Sequence, residues 1–340
     1  MFTHCTTLKM NAKQVIINIF ISVTIILSFI GCSDTDNPFN PQDWDLEAEA
    51  AEIPWDKLTG TLLYIKPHEH NNNSYALLFL ADADIRTVRL LKSRKEPSFG
   101  SLSIHPDRSC AVYGSYDFDS RSYYSIRKIS LETGNEEIIY PTGTDNRHQN
   151  YPVYASDGKL VWLVNGEYNG SYHGFGLFVD GQPFMWIGLG LDQPCWSPDA
   201  RYIVASPGEG LMYRFDYDAV TSDILIQEQY NPDELRIFFG DPAYSPDGKL
   251  LAYTRTIYDM TTFESLSELW VADSDGQNRR RVTTGNPDWS YDHTTWAADN
   301  RHVSVIRYIA NTGSELLLVD TETGEETRVK WNAFLYGWQP

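Results

Sequence analysis

One motif recurs five times along this chain and restricts what it can fold into. Pro194-Cys-Trp-Ser-Pro-Asp-Ala-Arg-Tyr-Ile-Val-Ala205 aligns with Pro242-Ala-Tyr-Ser-Pro-Asp-Gly-Lys-Leu-Leu-Ala-Tyr253. Further copies begin at Pro152 and Thr294, and a degenerate one begins at Leu102. The aligned aspartates are Asp107, Asp157, Asp199, Asp247 and Asp299, spaced 50, 42, 48 and 52 residues apart. Self-similarity with a period of tens of residues marks a fold built from repeated supersecondary units.

Each copy has a physical reading. A short apolar strand runs into Ser-Pro-Asp-Gly, where Pro presets φ, Asp caps the turn and Gly accepts a positive φ. An alternating strand follows, as in Lys249-Leu-Leu-Ala-Tyr-Thr254, then a third, as in Glu268-Leu-Trp-Val-Ala-Asp273. Asp275-Gly276 turns the chain into Arg280-Arg-Val-Thr283. Four antiparallel strands per roughly 45 residues is the signature of a propeller blade.

These units resemble the WD-like repeats of TolB-type β-propellers, whose consensus is close to Pro-x-Trp-Ser-Pro-Asp-Gly followed by a strand; Leu269 to Thr283 matches the second half of that repeat. The resemblance implies fold far more than function, because propellers host many activities. The ends set the blade number. Gly60 to Lys66 reads as a second strand lacking a first, with Tyr75–Asp82 as third and Thr87–Leu91 as fourth. Phe334 to Pro340 reads as an isolated first strand, Trp338 and Pro340 standing where Trp196 and Pro198 stand. The C-terminal strand is therefore expected to complete the N-terminal blade and close the ring. Residues 60–340 then form an all-β six-bladed propeller, with seven blades as the competing count.

The segment before residue 60 is different in kind. Lys9 and Lys13 precede an apolar run from Val15 to Ile30, about 16 residues, shorter than the roughly 20 that span a bilayer. It reads as the h-region of a signal peptide, residues 1–31, with an uncleaved anchor helix as the alternative. Phe29-Ile-Gly-Cys32 resembles a bacterial lipobox, with Phe29 departing from the usual Leu, and implies lipidation of Cys32. Met10 offers an alternative start. Residues 32–59 include Asn37-Pro-Phe-Asn-Pro41 and the acidic stretch Asp43 to Glu52, and read as a flexible acidic tether. Ser33 rather than Asp follows Cys32, which favours the outer membrane over the inner. Residues 33–59 are too short for the N-terminal α/β domain of TolB, so a Tol-complex role is not expected.

Charge narrows the partners. The formal net charge is −19, from 27 Lys+Arg against 46 Asp+Glu, and residues 1–31 hold two of the lysines and no acid, so the exported part is more acidic still. Nucleic acid, which needs clustered cations, is excluded as a partner. Hydrophobic residues at 42% exclude wholesale disorder. Four cysteines are too few for a disulfide scaffold, and Cys110 and Cys195 are expected to be buried free thiols.

In a propeller the first strand of each blade lines the channel. The residues expected at its mouth are His148 and Asn150, Asp192 and Gln193, Asp241, and Asp292 and His293. Carboxylates and imidazoles converging there suit a divalent cation or a cationic ligand; turn capping among themselves is the alternative, and no metal or other cofactor is assigned. The same face is expected to carry the loops His68–Asn73, Ser115–Asp119, Gly166–Gly174 and Tyr258–Phe263, whose Tyr, Asn and Gly content suits adaptable recognition. Tyr168 and Tyr172 form the expected contact patch. Trp162, Trp196, Tyr244, Trp270 and Trp296 are expected in the core, and Asp82-Ala-Asp84 and Asp273-Ser-Asp275-Gly276 as turns rather than calcium loops. No Gly-x-Ser-x-Gly elbow, phosphate loop or His-Glu-x-x-His helix occurs. The reading is a monomeric, non-catalytic envelope lipoprotein that binds a protein or glycan. The alternative is a metal-dependent lyase resembling oligogalacturonate lyases, with His148, Gln149, Gln193 and His293 at the channel mouth.

Overall fold

The Ser-Pro-Asp-Gly turns fold as their chemistry dictates. At Ser245–Lys249 the serine hydroxyl donates to Asp247 Oδ1 at 2.8 Å and accepts from the Leu250 N–H at 2.9 Å, while Asp247 Oδ1 accepts from the Lys249 N–H at 3.1 Å. The residue after each aligned aspartate has positive φ in every copy: Arg108 (60°), Gly158 (88°), Ala200 (57°), Gly248 (71°) and Asn300 (57°). The aspartate, whose Oδ1 accepts from the N–H two residues on in every copy, and the positive φ are common to all five, so the turn conformation persists where glycine does not.

The computed structural model describes residues 44–70, 73–95, 99–117, 122–140, 148–168, 171–186 and 193–339. The signal segment and Cys32 lie outside the described residues. Blade I begins with β1 (Thr61–His70), β2 (Asn73–Asp82) and β3 (Thr87–Lys95). Blade II holds β4 (Leu102–Ile104), β5 (Cys110–Asp117), β6 (Ser122–Ser130) and β7 (Glu136–Tyr140). Blade III holds β8 (His148–Tyr154), β9 (Leu160–Tyr168), β10 (Ser171–Val179) and β11 (Gln182–Trp186). Blade IV holds β12 (Cys195–Trp196), β13 (Tyr202–Gly208), β14 (Leu211–Asp216) and β15 (Thr221–Gln227). Blade V holds β16 (Leu235–Tyr244), β17 (Leu250–Asp259), β18 (Ser265–Asp273) and β19 (Arg280–Arg281). Blade VI holds β20 (Trp289–Trp296), β21 (His302–Ile309), β22 (Gly313–Asp320) and β23 (Glu326–Trp331). Last comes β24 (Phe334–Gln339), which pairs antiparallel with β1 and completes blade I as β24-β1-β2-β3.

Six four-stranded sheets result, and the first strand of each blade lies against the first strand of the next, including β24 against both β20 and β4. The ring is closed. The core divides accordingly into six buried apolar clusters among the described residues, one between each pair of successive blades. Trp196 and Trp296 fill the III/IV and V/VI clusters, Trp162 the II/III cluster, and Tyr244 and Trp270 pack on the IV/V cluster. Cys110 and Cys195 are buried free thiols, and burial pushes the Cys195 thiol up to about 12. The Asp-containing turns are turns: Asp82 Oδ1 accepts from the Asp84 and Ile85 N–H groups, and Asp275 Oδ1 from the Gln277 N–H.

The packed body begins before residue 60. Within the stretch expected to be flexible tether, α1 (Leu46–Ala51) forms, followed by a single 3₁₀ turn at Trp55–Lys57. Asp45 caps the helix by accepting from the Ala48 N–H at 2.9 Å. Ile53 and Leu58 are buried in the VI/I cluster, with Trp44 and Trp55 packed against it. The acidic composition concealed an N-cap, a run of good helix formers and four apolar anchors; burial of those anchors offsets the ordering cost that a purely polar tether could not.

Candidate functional site

The channel strands share a local irregularity that aims side chains at one another. In β16 the pairing with β17 shifts between Gly240 and Ala243; in β20 the pairing with β21 shifts between Asp292 and Thr295; in β8 the pairing with β9 shifts between Asn150 and Val153. Each break is a bulge holding one positive-φ residue: Asp241 (46°), His293 (56°) and Tyr151 (54°). Bulges re-aim side chains at barrel rims and sites, and the prolines that follow, Pro152 and Pro242, suit positions that make no ladder bond. Gln193-Pro194 occupies the same repeat position in blade IV, six residues before its turn aspartate.

Three consecutive blades therefore deliver Gln193, Asp241 and His293 to one place. His293 Nδ1 lies 3.1 Å from Gln193 Oε1 and 3.8 Å from Asp241 Oδ1, and its Nε2 lies 3.7 Å from Asp292 Oδ2. The His293 backbone N–H donates to Asp292 Oδ1 at 3.0 Å. Thr294 Oγ1 donates to the Asp241 carbonyl, which fastens blade VI to blade V just behind the group. Asp241 and His293 are almost wholly enclosed, whereas the Asp292 side chain is 40% exposed and opens the group to solvent. Burial lowers the His293 pKa below its usual value, and the Asp292 charge opposes that only in part, so the imidazole is neutral at pH 7.

One ligand atom from each of Asp241, Asp292 and His293 lies within 4.8 Å of the others. Two carboxylates with a neutral imidazole fit a borderline divalent ion such as Mn²⁺ or Zn²⁺ better than the all-oxygen cage of Ca²⁺. The same group, with Gln193, presents negative charge and acceptors to a cationic ligand.

The structure does not gather every expected residue. Asn150 is turned toward blade II, where a Cβ on Gly114 would stand 2.5 Å from its Oδ1. His148 lies on β8 opposite Asn165, but its side chain is outside the described residues, as is Asp192. Tyr168 and Tyr172 were expected in a loop; they sit instead on β9 and β10, at the end of a hairpin that pairs Ser171 with Tyr168 and Tyr172 with Glu167, their side chains outside the described residues. The His68–Asn73 stretch likewise continues β1 into β2, pairing His70 with Asn73. Polar residues there read as loop, yet the ladder pairing continues through them. What could be read in advance was the repeat position; its bulge and positive φ leave no mark in the sequence beyond the prolines after Tyr151 and Asp241, and His293, followed by Thr294, lacks even that.

A cavity of about 550 Å³ lies elsewhere, lined by Glu52, Lys66, Arg328, Val329, Lys330 and Asn332. Its cations are neutralised by the chain's own carboxylates: Lys66 by Glu49 at 3.1 Å, Arg328 by Glu315 at 3.5 Å and Lys330 by Glu49 at 2.9 Å.

No protein-family model matches the chain, and no curated protein matches it. Solved structures do. TolB from Acinetobacter baumannii is similar at 17% identity with a TM-score of 0.59, over 82% of this chain and 67% of that one. A chain in a nidogen/laminin complex is similar at 12% identity with a TM-score of 0.52, over 82% of this chain and 97% of that one. An oligogalacturonate lyase from Vibrio parahaemolyticus gives 13% identity over 82% of this chain and 80% of that one, with a TM-score of 0.48, too low to bear on activity. At these identities the likeness is one of fold, and it agrees with the strand order and the ring closure: the chain has the six-bladed TolB-type β-propeller fold.

Proposed function

We propose that the chain is a bacterial cell-envelope lipoprotein, anchored through Cys32, whose propeller is a non-catalytic scaffold for a protein or glycan partner. The observation that carries the reading is the combination of an apolar export segment ending in Gly31-Cys32 with a closed ring of TolB type. The likeness to TolB supports an envelope location, and Ser33 after Cys32 supports the outer membrane. No helix among the described residues is long and apolar enough to cross a membrane. The partner meets the channel mouth at Gln193, Asp241, Asp292 and His293 and the β9–β10 hairpin at Tyr168 and Tyr172, and the excess of acid selects a cationic or neutral one. Two experiments test this. Cys32→Ser in the producing cell releases the protein from membranes; retention in the membrane fraction refutes the anchor. Affinity capture on the mature chain recovers a partner that a Tyr168/Tyr172 double alanine variant loses; equal recovery of every partner refutes the patch.

The grouping of Asp241, Asp292 and His293 favours one second reading, a divalent cation at the channel mouth serving a lyase or related enzyme. Asp241, Asp292 and His293 would hold the ion, with Gln193 fixing the imidazole through Nδ1; a bound divalent ion would supply charge neutralisation for an anionic sugar. Elemental analysis of the purified protein decides between the readings: a stoichiometric metal lost in Asp241→Asn and His293→Ala supports the enzyme, and a metal-free protein that does not take up added Mn²⁺ or Zn²⁺ removes it.

A further inference from the structure

Five of the six interblade clusters are built by two blades alone, but the VI/I cluster also takes in Ile53 and Leu58 from the segment that precedes the propeller. That segment also places a charge at the joint. Glu49 is buried at 3% exposure. It accepts from the Tyr64 hydroxyl at 2.9 Å and from Lys66 at 3.1 Å, both on β1 of blade I, and from Lys330 at 2.9 Å, on β23 of blade VI. The Trp44 indole N–H donates to the same carboxylate at 3.2 Å. Lys330, whose side chain is 1% exposed, finds its partners within the segment: the Glu49 carboxylate, the Glu49 carbonyl at 2.7 Å and Glu52 at 2.8 Å. Farther along, the Lys57 ammonium donates to Thr327 Oγ1 at 2.8 Å and Asp56 pairs with Arg86 at 2.6 Å, again one contact to each blade. The closing strand itself is tied in, because the Trp338 indole donates to the Thr59 carbonyl at 2.8 Å.

We propose that Trp44–Thr59 is a clasp across the seam where the ring closes, so that this segment and the closing strand β24 open and shut as one unit. One carboxylate bridges a lysine on each blade, so withdrawing the helix strips both blades of their shared acceptor at once. It would also take from Lys330, 1% exposed in the closed seam, the Glu49 and Glu52 acceptors that hold its ammonium, and breaking a buried pair costs more than losing an exposed one. The ring therefore cannot keep its closed seam while the segment comes and goes. A pull on the N-terminus, or a ligand that displaces α1, acts on the VI/I seam before the other five. The inference stands whether or not Cys32 carries lipid.

Hydrogen exchange on the full chain tests it. In the wild type the amides of α1 are expected to exchange within about threefold of those in β24, as members of one cooperative unit, although an isolated six-residue helix has almost no protection. Lys330→Met is expected to raise exchange about tenfold or more in Trp44–Thr59 and β24 while leaving blades III to V unchanged. Free-peptide exchange rates in α1 beside a protected β24 would overturn the clasp. So would a Lys330→Met variant that loosens all blades equally or none. Should that variant fail to fold, the wild-type comparison of α1 with β24 decides alone.

Discussion

At the V/VI seam, Trp296 reaches back from β20 and donates its indole N–H to the Ala243 carbonyl of blade V at 2.9 Å. At the VI/I seam its repeat equivalent, Trp338, donates to Thr59, which belongs to no blade. The first seam is made between two copies of the repeat, Trp296 and Ala243 each holding a repeat position, although the residues aligned with Trp296 in the other copies are Ile104, Tyr154, Trp196 and Tyr244. The second joins the two ends of the chain, and the position equivalent to Ala243 in blade VI, Thr295, is not the acceptor. A repeat specifies its internal interfaces each time it is copied, but it specifies the closing interface only if the ends are copies too. Here the ends are a lone β24 and an acidic helix, and the closing seam is assembled from parts used nowhere else in the ring.

The largest effects should come from the two tryptophans. Trp296→Ala and Trp338→Ala each remove a nearly buried indole and orphan a carbonyl, and each should cost about 3–5 kcal/mol in chemical denaturation. If the seams differ as argued, Trp338→Ala also releases the clasp, so protease digestion should begin within residues 44–59 in that variant and not in Trp296→Ala. Identical digestion patterns would dissolve the distinction. Next is Gly276→Ala, at the IV/V seam. A Cβ there would stand 2.3 Å from the Leu225 carbonyl of the neighbouring blade, at a φ of +80°. Backbone faces backbone, nothing flexible can yield, and a loss of about 2–4 kcal/mol is expected with α1 protection unchanged.

A smaller, pH-dependent effect belongs to the closing seam. Burial pushes the Glu49 pKa up, but hydrogen bonding and charge from Lys330 and Lys66 outweigh it, and the net shift is downward from 4.5. A carboxyl with a depressed folded pKa contributes stability that is present above its unfolded pKa and is lost as pH falls through the folded value. The VI/I seam should thus loosen on acidification below pH 4.5, read as faster exchange in β24 than in β16. Glu49→Gln should flatten that difference; an unchanged pH profile in the variant would assign the acid sensitivity to another group.

How much of this was legible beforehand follows from the same contrast. The five turn aspartates, the six blades and the completion of blade I by Phe334–Gln339 could all be read, because a period repeats its evidence. Glu49 and Lys330 could not: their pairing spans 281 residues and occurs once, and the stretch Asp43 to Glu52 looks solvated by composition. The channel mouth falls between these cases. The repeat position of Gln193, Asp241 and His293 was visible, but their approach depends on bulges at Asp241 and His293 that only the pairing register reveals. Asn150 has the same polar character and occupies a neighbouring place in β8, yet it turns away toward Gly114.

The smallest effect tests whether the repeats are as equivalent in energy as they are in shape. Gly248 and Ala200 hold the same turn position, with φ of 71° and 57°. A Cβ on Gly248 would meet nothing closer than Pro198 at 3.7 Å, which is ordinary contact. Gly248→Ala should therefore cost about 1 kcal/mol through backbone strain alone. Ala200→Gly releases the same strain, and it should gain clearly less than that, because its methyl is buried in the III/IV cluster and glycine also adds entropy to the unfolded chain. Opposite signs, measured by urea midpoints with unchanged m-values, would mean that the turn sets its energy locally and each blade could be tuned by itself. A stabilising Gly248→Ala, or an Ala200→Gly that destabilises, would mean instead that neighbouring blades fix the turn. The contact of Ser156 Oγ with the Pro198 carbonyl at 2.7 Å is where such a constraint would enter.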